Sequence, residues 1–140
     1  MLLPTMAKRR VPWKELFAAA ERARKMAYAP YSRFHVGAAL FAADGTIIAG
    51  CNVENASYGL TICAERGAAA AMVVNGKRPI ACAIVVDSKK PTPPCGMCRQ
   101  VLAELGSLRL EVRSRTVRGK KEARWTVGEL LPHAFTPDFL

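Results

Sequence analysis

The sequence lacks the long apolar run and the internal repeats that mark several protein classes. None of its apolar stretches approaches the ~20 residues that a membrane-spanning helix needs, so no membrane association is expected. Near the start, a basic pair follows the short apolar piece instead of preceding it, which is not the order of a secretory signal. We therefore expect a soluble, cytoplasmic protein.

Acidic residues are also scarce. The 140-residue chain has 21 lysines and arginines against 11 aspartates and glutamates, a formal net charge of +10. Such an excess permits binding to nucleic acid or anionic surfaces but does not require it. The positive charge is dispersed, with its densest stretch at 109–124, so we interpret it as a solvated basic face and do not expect a nucleic-acid partner.

What the chain does contain suits one folded domain. Hydrophobic residues make up 51% and charged residues 23%, which argues against disorder. The length suits a single domain over residues 1–140, of which 1–12 are expected to form a flexible N-terminal extension.

Apolar spacing predicts strands alternating with helices. The predicted helices cover 13–28, 63–74 and 98–105, with a last helical turn at 127–131. The predicted strands cover 36–42, 46–53, 80–86 and 108–112, with one more ending near Trp125. This alternation implies an α/β fold, a three-layer α/β/α sandwich with a mixed sheet of about five strands.

The five cysteines favour metal or redox chemistry over a disulfide framework, because their number is odd. Cys95 and Cys98 form a C-x-x-C pair, which occurs in structural zinc knuckles, redox dithiols and catalytic metal sites. A redox dithiol typically stands near the start of a thioredoxin-like domain, whereas this pair follows a proline-rich loop late in the chain. A structural zinc site needs a fourth ligand, and no candidate has finger-like spacing: Cys51, Cys82, His35 and His133.

An earlier segment supplies a third ligand and an acid. Cys63-Ala64-Glu65 stands at a predicted helix start, and Pro-Cys-x-x-Cys follows downstream. This paired pattern is typical of zinc deaminases, in which the glutamate is not a ligand. We therefore predict that Cys63, Cys95 and Cys98 hold one Zn²⁺ per subunit and that Glu65 is catalytic.

Three thiolates leave a zinc site with a formal net charge of about −1, which weakens the metal's ability to acidify water. Each of the three cysteines is predicted in the first turn of a helix, where exposed N–H groups stabilise thiolate. Arg66 is predicted to place a guanidinium behind the sulfurs. The alternative for Arg66 is an ordinary structural ion pair.

Longer segments make the chain similar to the small, homotetrameric cytidine deaminases. The resemblance covers nearly all of 26–135 and rests on the segments APYSRFHVGAAL (29–40), GCNVENASYG (50–59), CAER (63–66), PCGMCRQ (94–100) and LLPHAF (130–135). It implies zinc-dependent hydrolysis of cytidine and deoxycytidine to uridine and deoxyuridine with release of ammonia, as in pyrimidine salvage. The chain departs from the family at Pro93, where serine is usual, and at Gly67, just after Arg66.

The resemblance also implies how a nucleoside would be bound. Residues that match Asn52 and Glu54 hold the ribose 3′-hydroxyl in that family, Phe34 matches a residue that stacks on the base, and Ala64 offers backbone groups to the base edge. Tyr58 and Phe135 match residues that complete the site of a neighbouring subunit, which implies a homotetramer.

Three other functions stay open at this point. A deaminase with the same chemistry could act on a nucleoside antibiotic, although Asn52-Val53-Glu54 looks like a nucleoside sugar site. It could also act on a base in nucleic acid, in which case the basic stretch would form a groove for the phosphate backbone. The third alternative is a zinc-binding interaction module without catalysis.

Overall fold

The computed structural model of the chain describes residues 10–118 and 121–140. These residues form one five-stranded sheet with helices packed on it. The strands are β1 (Val36–Ala42), β2 (Ile47–Cys51), β3 (Pro79–Val86), β4 (Glu111–Thr116) and β5 (Glu122–Thr126). Their order across the sheet is β2-β1-β3-β4-β5. The β3–β4 pair is parallel and the other neighbours are antiparallel, so the sheet is mixed, as predicted.

Helices cover both faces of the sheet. Helix α1 (Trp13–Arg24) packs on one face, and α2 (Ala64–Val74), α3 (Gly96–Leu105) and α4 (Val127–Leu130) pack on the other. Two short 3₁₀ helices lie at Tyr58–Leu60 and Pro137–Phe139. The predicted three-layer α/β/α arrangement is confirmed.

The central strands are apolar on both faces because each face is covered. Along β1, Ala38 and Leu40 belong to the core under α2, whereas Ala39 and Phe41 belong to the core under α1. Strand β3 alternates in the same way, which explains why 80–86 is continuously apolar.

Two glycines allow the β1–β2 hairpin to pack closely against α1 on one face of the sheet and α2 on the other. A Cβ atom on Gly37 would lie 1.9 Å from the Ala20 carbonyl oxygen in α1, and one on Gly50 would lie 2.7 Å from the Ala64 carbonyl oxygen in α2. Because Gly37 has no side chain, the start of β1 can lie directly against α1, and Gly50 in the same way lets the end of β2 lie against the first turn of α2.

The helix predicted at 13–28 ends earlier than expected, at Arg24. The Tyr28 N–H donates to the Asn52 carbonyl (3.0 Å), and the Tyr28 carbonyl accepts from the Glu54 N–H (2.8 Å). This pairing with the chain after β2 competes with helix and places 29–34 beside 52–54.

The strand predicted at 108–112 is also displaced. Residues 107–110 form a turn, and β4 begins at Glu111. The alternating arginines of β4 point toward α1, where the Arg113 guanidinium lies 4.2 Å from the Trp13 ring centroid and that of Arg115 lies 3.9 Å from the Phe17 ring centroid. Part of the basic stretch at 109–124 therefore packs on aromatic rings.

The C-terminal part agrees with the prediction. The strand expected to end near Trp125 is β5, and the last helical turn is α4, capped by reciprocal bonds between Thr126 and Glu129. Residues 1–9, on which most of the expected extension falls, and residues 119–120 lie outside the described chain; Val11 packs on the core under α1. Within the described residues, no helix combines the length and hydropathy needed to cross a bilayer.

Candidate metal and active site

Two helix starts bring three cysteines together. Cys63 is the N-cap of α2, Cys95 is the N-cap of α3, and Cys98 lies in the first turn of α3. Two of the three are therefore caps and not first-turn residues as predicted. Their Sγ atoms all lie within 4.8 Å of one another, and those of Cys63 and Cys95 are 3.6 Å apart.

This spacing fits a tetrahedral zinc ion. Zinc–sulfur bonds of about 2.3 Å in tetrahedral geometry separate two sulfurs by roughly 3.8 Å. Thiolates are soft ligands, which favours zinc over magnesium or manganese. Three protein ligands leave one coordination position open, as catalytic zinc sites require. Cys51, Cys82, His35 and His133 are not part of this cluster.

The three thiols lie close enough together to change one another's acidity. Hydrogen bonds from Cys98 and Arg66 hold the Cys63 thiolate and lower its pKa to about 5. The pKa of Cys98 is raised, because its thiol donates a hydrogen bond to Cys63 and because the side chain is buried. A cation held by these sulfurs would require all three as thiolates, since metal ligands must be deprotonated.

A buried carboxyl group lies beside the sulfurs. Glu65 is only 5% exposed in the first turn of α2. Burial is the main cause that raises the pKa of Glu65 to about 7, although a hydrogen bond with Cys98 opposes it. A carboxyl that titrates near neutrality both accepts and donates protons efficiently.

The Arg66 side chain returns toward the start of its own helix. Its Nη2 donates to the Thr61 carbonyl (3.0 Å) and lies 3.9 Å from Cys63 Sγ. Contact with the Cys63 sulfur raises the pKa of Arg66. Among the described residues no carboxylate forms an ion pair with Arg66, which disfavours the ordinary ion-pair interpretation.

A cavity of about 230 Å³ opens in front of the sulfurs. Its walls come from the chain before β1, the loop after β2, strand β3, the start of α2 and the loop before α3. The lining includes Ser32, Phe34, Val36, Asn52, Glu54, Thr61, Cys63, Ala64, Glu65, Ile84, Val86, Thr92, Pro93 and Cys95. Tyr58 and Phe135 do not line this cavity, and their side chains are 76% and 59% exposed.

Asn52 shapes the wall that carries Phe34. Its Oδ1 accepts from the Val36 N–H (2.9 Å), and its Nδ2 donates to the Phe34 carbonyl (2.7 Å). The Phe34 ring itself is 37% exposed. The side chain of Asn52 therefore fixes the backbone at the entry to β1.

Glu54 holds the same segment from its other end. Its carboxylate accepts from the backbone N–H groups of Tyr31 (3.0 Å) and Ser32 (3.2 Å), and from the Ser32 hydroxyl. The Ser32 hydroxyl is the main cause that lowers the pKa of Glu54. Ser32 was not predicted as a site residue, although a hydroxyl two residues before the aromatic Phe34 was a usable signal.

A buried serine supports the opposite wall. Ser114 is fully buried in β4, and its hydroxyl accepts from the Thr92 N–H (3.0 Å). Thr92 also contacts the Ser88 hydroxyl (3.2 Å), so the proline-rich loop before Cys95 is tied to the sheet. Ser114 was not predicted, because the strand expected at 108–112 ends before it and no local pattern in the sequence marks this serine as buried.

Comparisons with known proteins agree with this geometry. Residues 12–113 match the family model described as the cytidine and deoxycytidylate deaminase zinc-binding region. A protein named cytidine deaminase from Halalkalibacterium halodurans is 52% identical over 124 residues, which cover 88% of this chain and 93% of that protein. Another of that name from Mycobacterium tuberculosis is 45% identical over 131 residues, covering 93% and 94%. The crystal structure of cytidine deaminase from Burkholderia pseudomallei superposes with a TM-score of 0.84 at 48% identity, covering 89% of this chain and all of that one.

Proposed function

The chain belongs to the cytidine and deoxycytidylate deaminase family, and we propose that it is a zinc-dependent cytidine deaminase. It would hydrolyse cytidine and deoxycytidine to uridine and deoxyuridine, with water consumed and ammonia released, in pyrimidine salvage. The observation that carries this proposal is the cluster of three cysteine sulfurs beside one buried carboxyl group. Neither half of that arrangement alone would indicate hydrolysis.

Each site residue then has a chemical task. Cys63, Cys95 and Cys98 would hold Zn²⁺, which would supply Lewis acidity that lowers the pKa of a water molecule. Glu65 accepts a proton as that water attacks C4 of the pyrimidine and passes it to N3. Glu65 then takes the proton of the new C4 hydroxyl and delivers it to the amino group, so that the C4–N bond breaks, the C4 carbonyl forms and neutral ammonia leaves.

The remaining cavity residues fit a nucleoside. Phe34 presents a partly exposed ring against which a base can stack. Asn52 uses one Nδ2 hydrogen on the Phe34 carbonyl and keeps the other for a sugar hydroxyl. The Glu54 carboxylate has lone pairs beyond its bonds to the 31–32 backbone, and Ala64 contributes the backbone edge at the start of α2.

We further propose a cytoplasmic homotetramer in which Tyr58 and Phe135 complete the sites of neighbouring subunits. Both rings are well exposed, and Leu60 beside Tyr58 is exposed as well, as expected of surface that a partner covers. All five cysteines are free, which suits a reducing compartment. Analytical ultracentrifugation should give four times the chain mass, and a monomer would contradict the assembly.

The decisive experiment is an absorbance assay of cytidine conversion with and without a chelator. Chelation should abolish turnover. Glu65→Gln should lower turnover by several orders of magnitude and leave zinc near one per chain, because proton transfer is lost and the sulfurs are kept. The matched control Glu15→Gln removes an exposed acid from the first turn of α1 and should leave both quantities unchanged.

Two results would contradict the proposal. A wild-type protein that binds zinc but converts no cytidine would be an interaction module. Salt-dependent binding to single-stranded RNA together with no activity on free nucleosides would favour a polynucleotide substrate.

A further inference from the structure

Cys95 is the least constrained of the three sulfur-bearing residues. Cys98 is buried within α3 and Cys63 is half-buried, but Cys95 is exposed at the end of the loop that follows β3. Prolines at 91, 93 and 94 leave this loop with few backbone N–H groups, and the Thr92 N–H, bonded to Ser114, ties it to the sheet three residues before Cys95. A contact at Pro94, next to Cys95, acts more directly on the direction of the Cys95 sulfur.

Arg99 makes that contact. From the start of α3 its Nε donates to the Pro94 carbonyl (2.7 Å), and its Nη1 donates to the Leu130 carbonyl (2.8 Å). The Pro94 carbonyl belongs to the peptide unit that leads into Cys95, so its orientation sets the direction in which Cys95 leaves the loop. Leu130 is the last residue of α4.

The other end of this clamp is well anchored. Val127 of α4 is fully buried, and its N–H donates to the Leu110 carbonyl (2.9 Å). The capping box between Thr126 and Glu129 closes the first turn of the same helix. Arg99 thus links the loop before Cys95 to a fixed point on α4, in the same helical layer.

The charge of Arg99 does not explain its position. A cation near the start of a helix is disfavoured by the helix dipole, and among the described residues no carboxylate forms an ion pair with Arg99. A planar fork of donors at fixed angles, by contrast, suits two carbonyls that must be held at once. The role therefore depends on the shape of the guanidinium.

We propose that Arg99 is a positioning residue for the Cys95 sulfur, which it holds in bonding position by clamping the Pro94 carbonyl to the end of α4. This inference rests on the zinc site of the proposed function. It adds a residue that touches neither metal nor substrate and that acts through the backbone before a ligand.

Zinc release and cobalt spectroscopy test the proposal independently of deamination. Arg99→Gln should release zinc to a chromogenic chelator about 10–100-fold faster than the wild type, the usual cost of losing support behind a ligand. In the cobalt-substituted protein the sulfur-to-metal absorption should weaken, by less than a third, since the Cys95 sulfur is held less firmly but not lost. Arg99→Lys should also release zinc faster, because an ammonium cannot hold both carbonyls in the geometry of the fork.

Two controls separate positioning from general destabilisation. Arg24→Gln on α1 also removes two side-chain bonds, both to Glu21, far from the sulfurs, and should leave zinc release unchanged. Gln100→Ala removes only a bond to the Phe135 carbonyl and should leave the cobalt spectrum unchanged. Wild-type zinc release in either Arg99 variant, or equally fast release from Arg24→Gln, would overturn the proposal. The proposed function is tested separately, by the turnover and zinc content of the wild-type protein. It can hold even if the Arg99 variants release zinc at the wild-type rate.

Discussion

The starts of α2 and α3 have similar structures but contribute different groups to the site. Each has a cysteine as its N-cap, Cys63 or Cys95, and each has an arginine, Arg66 or Arg99, that folds back to a carbonyl of the preceding loop. This arrangement places a sulfur where the exposed N–H groups of a helix end favour thiolate and restrains the loop that delivers it.

The difference between the two starts lies in burial. Glu65 is buried at the start of α2, where Arg66 lies close to a sulfur. The start of α3 exposes Cys95, and its arginine reaches only carbonyl oxygens. Helix α2 therefore supplies the acid and one sulfur, α3 supplies the other two sulfurs, and the site forms only where the two helix starts meet.

Removing one sulfur should have the largest effect. Cys63→Ala and Cys95→Ala should each lower zinc content from near one per chain to near zero and abolish turnover, because two thiolates and water bind zinc poorly. Cys51→Ala, which lies outside the cluster, should retain zinc. A zinc content near one per chain in Cys63→Ala, measured by atomic emission, would contradict the claim that both helix starts are needed, since α3 would then bind the metal alone.

Removing the metal should have the next largest effect. Zinc joins the starts of α2 and α3, so its binding energy adds to the folding free energy. A chelated sample should unfold at least about 10 °C below the zinc-loaded protein in differential scanning calorimetry, if zinc is at 1,000 times its dissociation constant or more. Equal midpoints for the two samples would mean that the helix starts hold their positions without metal.

Substituting Arg66 should weaken zinc binding less than losing a sulfur does. Arg66→Gln removes both the bond to Thr61 and the charge near Cys63, so zinc affinity should fall about 10–100-fold in a chelator competition. Arg66→Lys keeps the charge and should lose less. If the lysine and glutamine variants behave identically, the charge beside the sulfur is irrelevant, and the two helix starts differ less than we argue.

The smallest effect is expected on the opposite face of the sheet. Arg113→Met removes the stacking on Trp13 and partly exposed ion pairs with Glu111 and Glu122, which should lower the free energy of unfolding by about 1 kcal/mol. Urea denaturation measures this, with the exposed Arg109→Met as control. Zinc content and turnover should not change, and a change in either would show that the α1 face is coupled to the site.

Local pattern was enough to predict most of the fold. The hairpin at Asp44-Gly45 forms where glycine can adopt a positive φ, which is 99° at Gly45. The predicted strand at 80–86 is continuously apolar and lies at the sheet's centre. The register of β4 was not predictable, because Arg113 and Arg115 look like surface residues until the rings of α1 are placed over them.

The residues with the chemistry of a metal and proton-transfer site can be identified from local patterns, Cys63-Ala64-Glu65 and Pro94-Cys95-Gly96-Met97-Cys98. The tertiary structure sets the 3.6 Å distance between the Cys63 sulfur and one 32 residues away. It also decided that Asn52 and Glu54 hold backbone beside the cavity, and that Glu65 is buried enough for its pKa to reach about 7. The physical reason is that distances between helices and loss of solvent come from packing on a shared sheet, which no short stretch of chain contains.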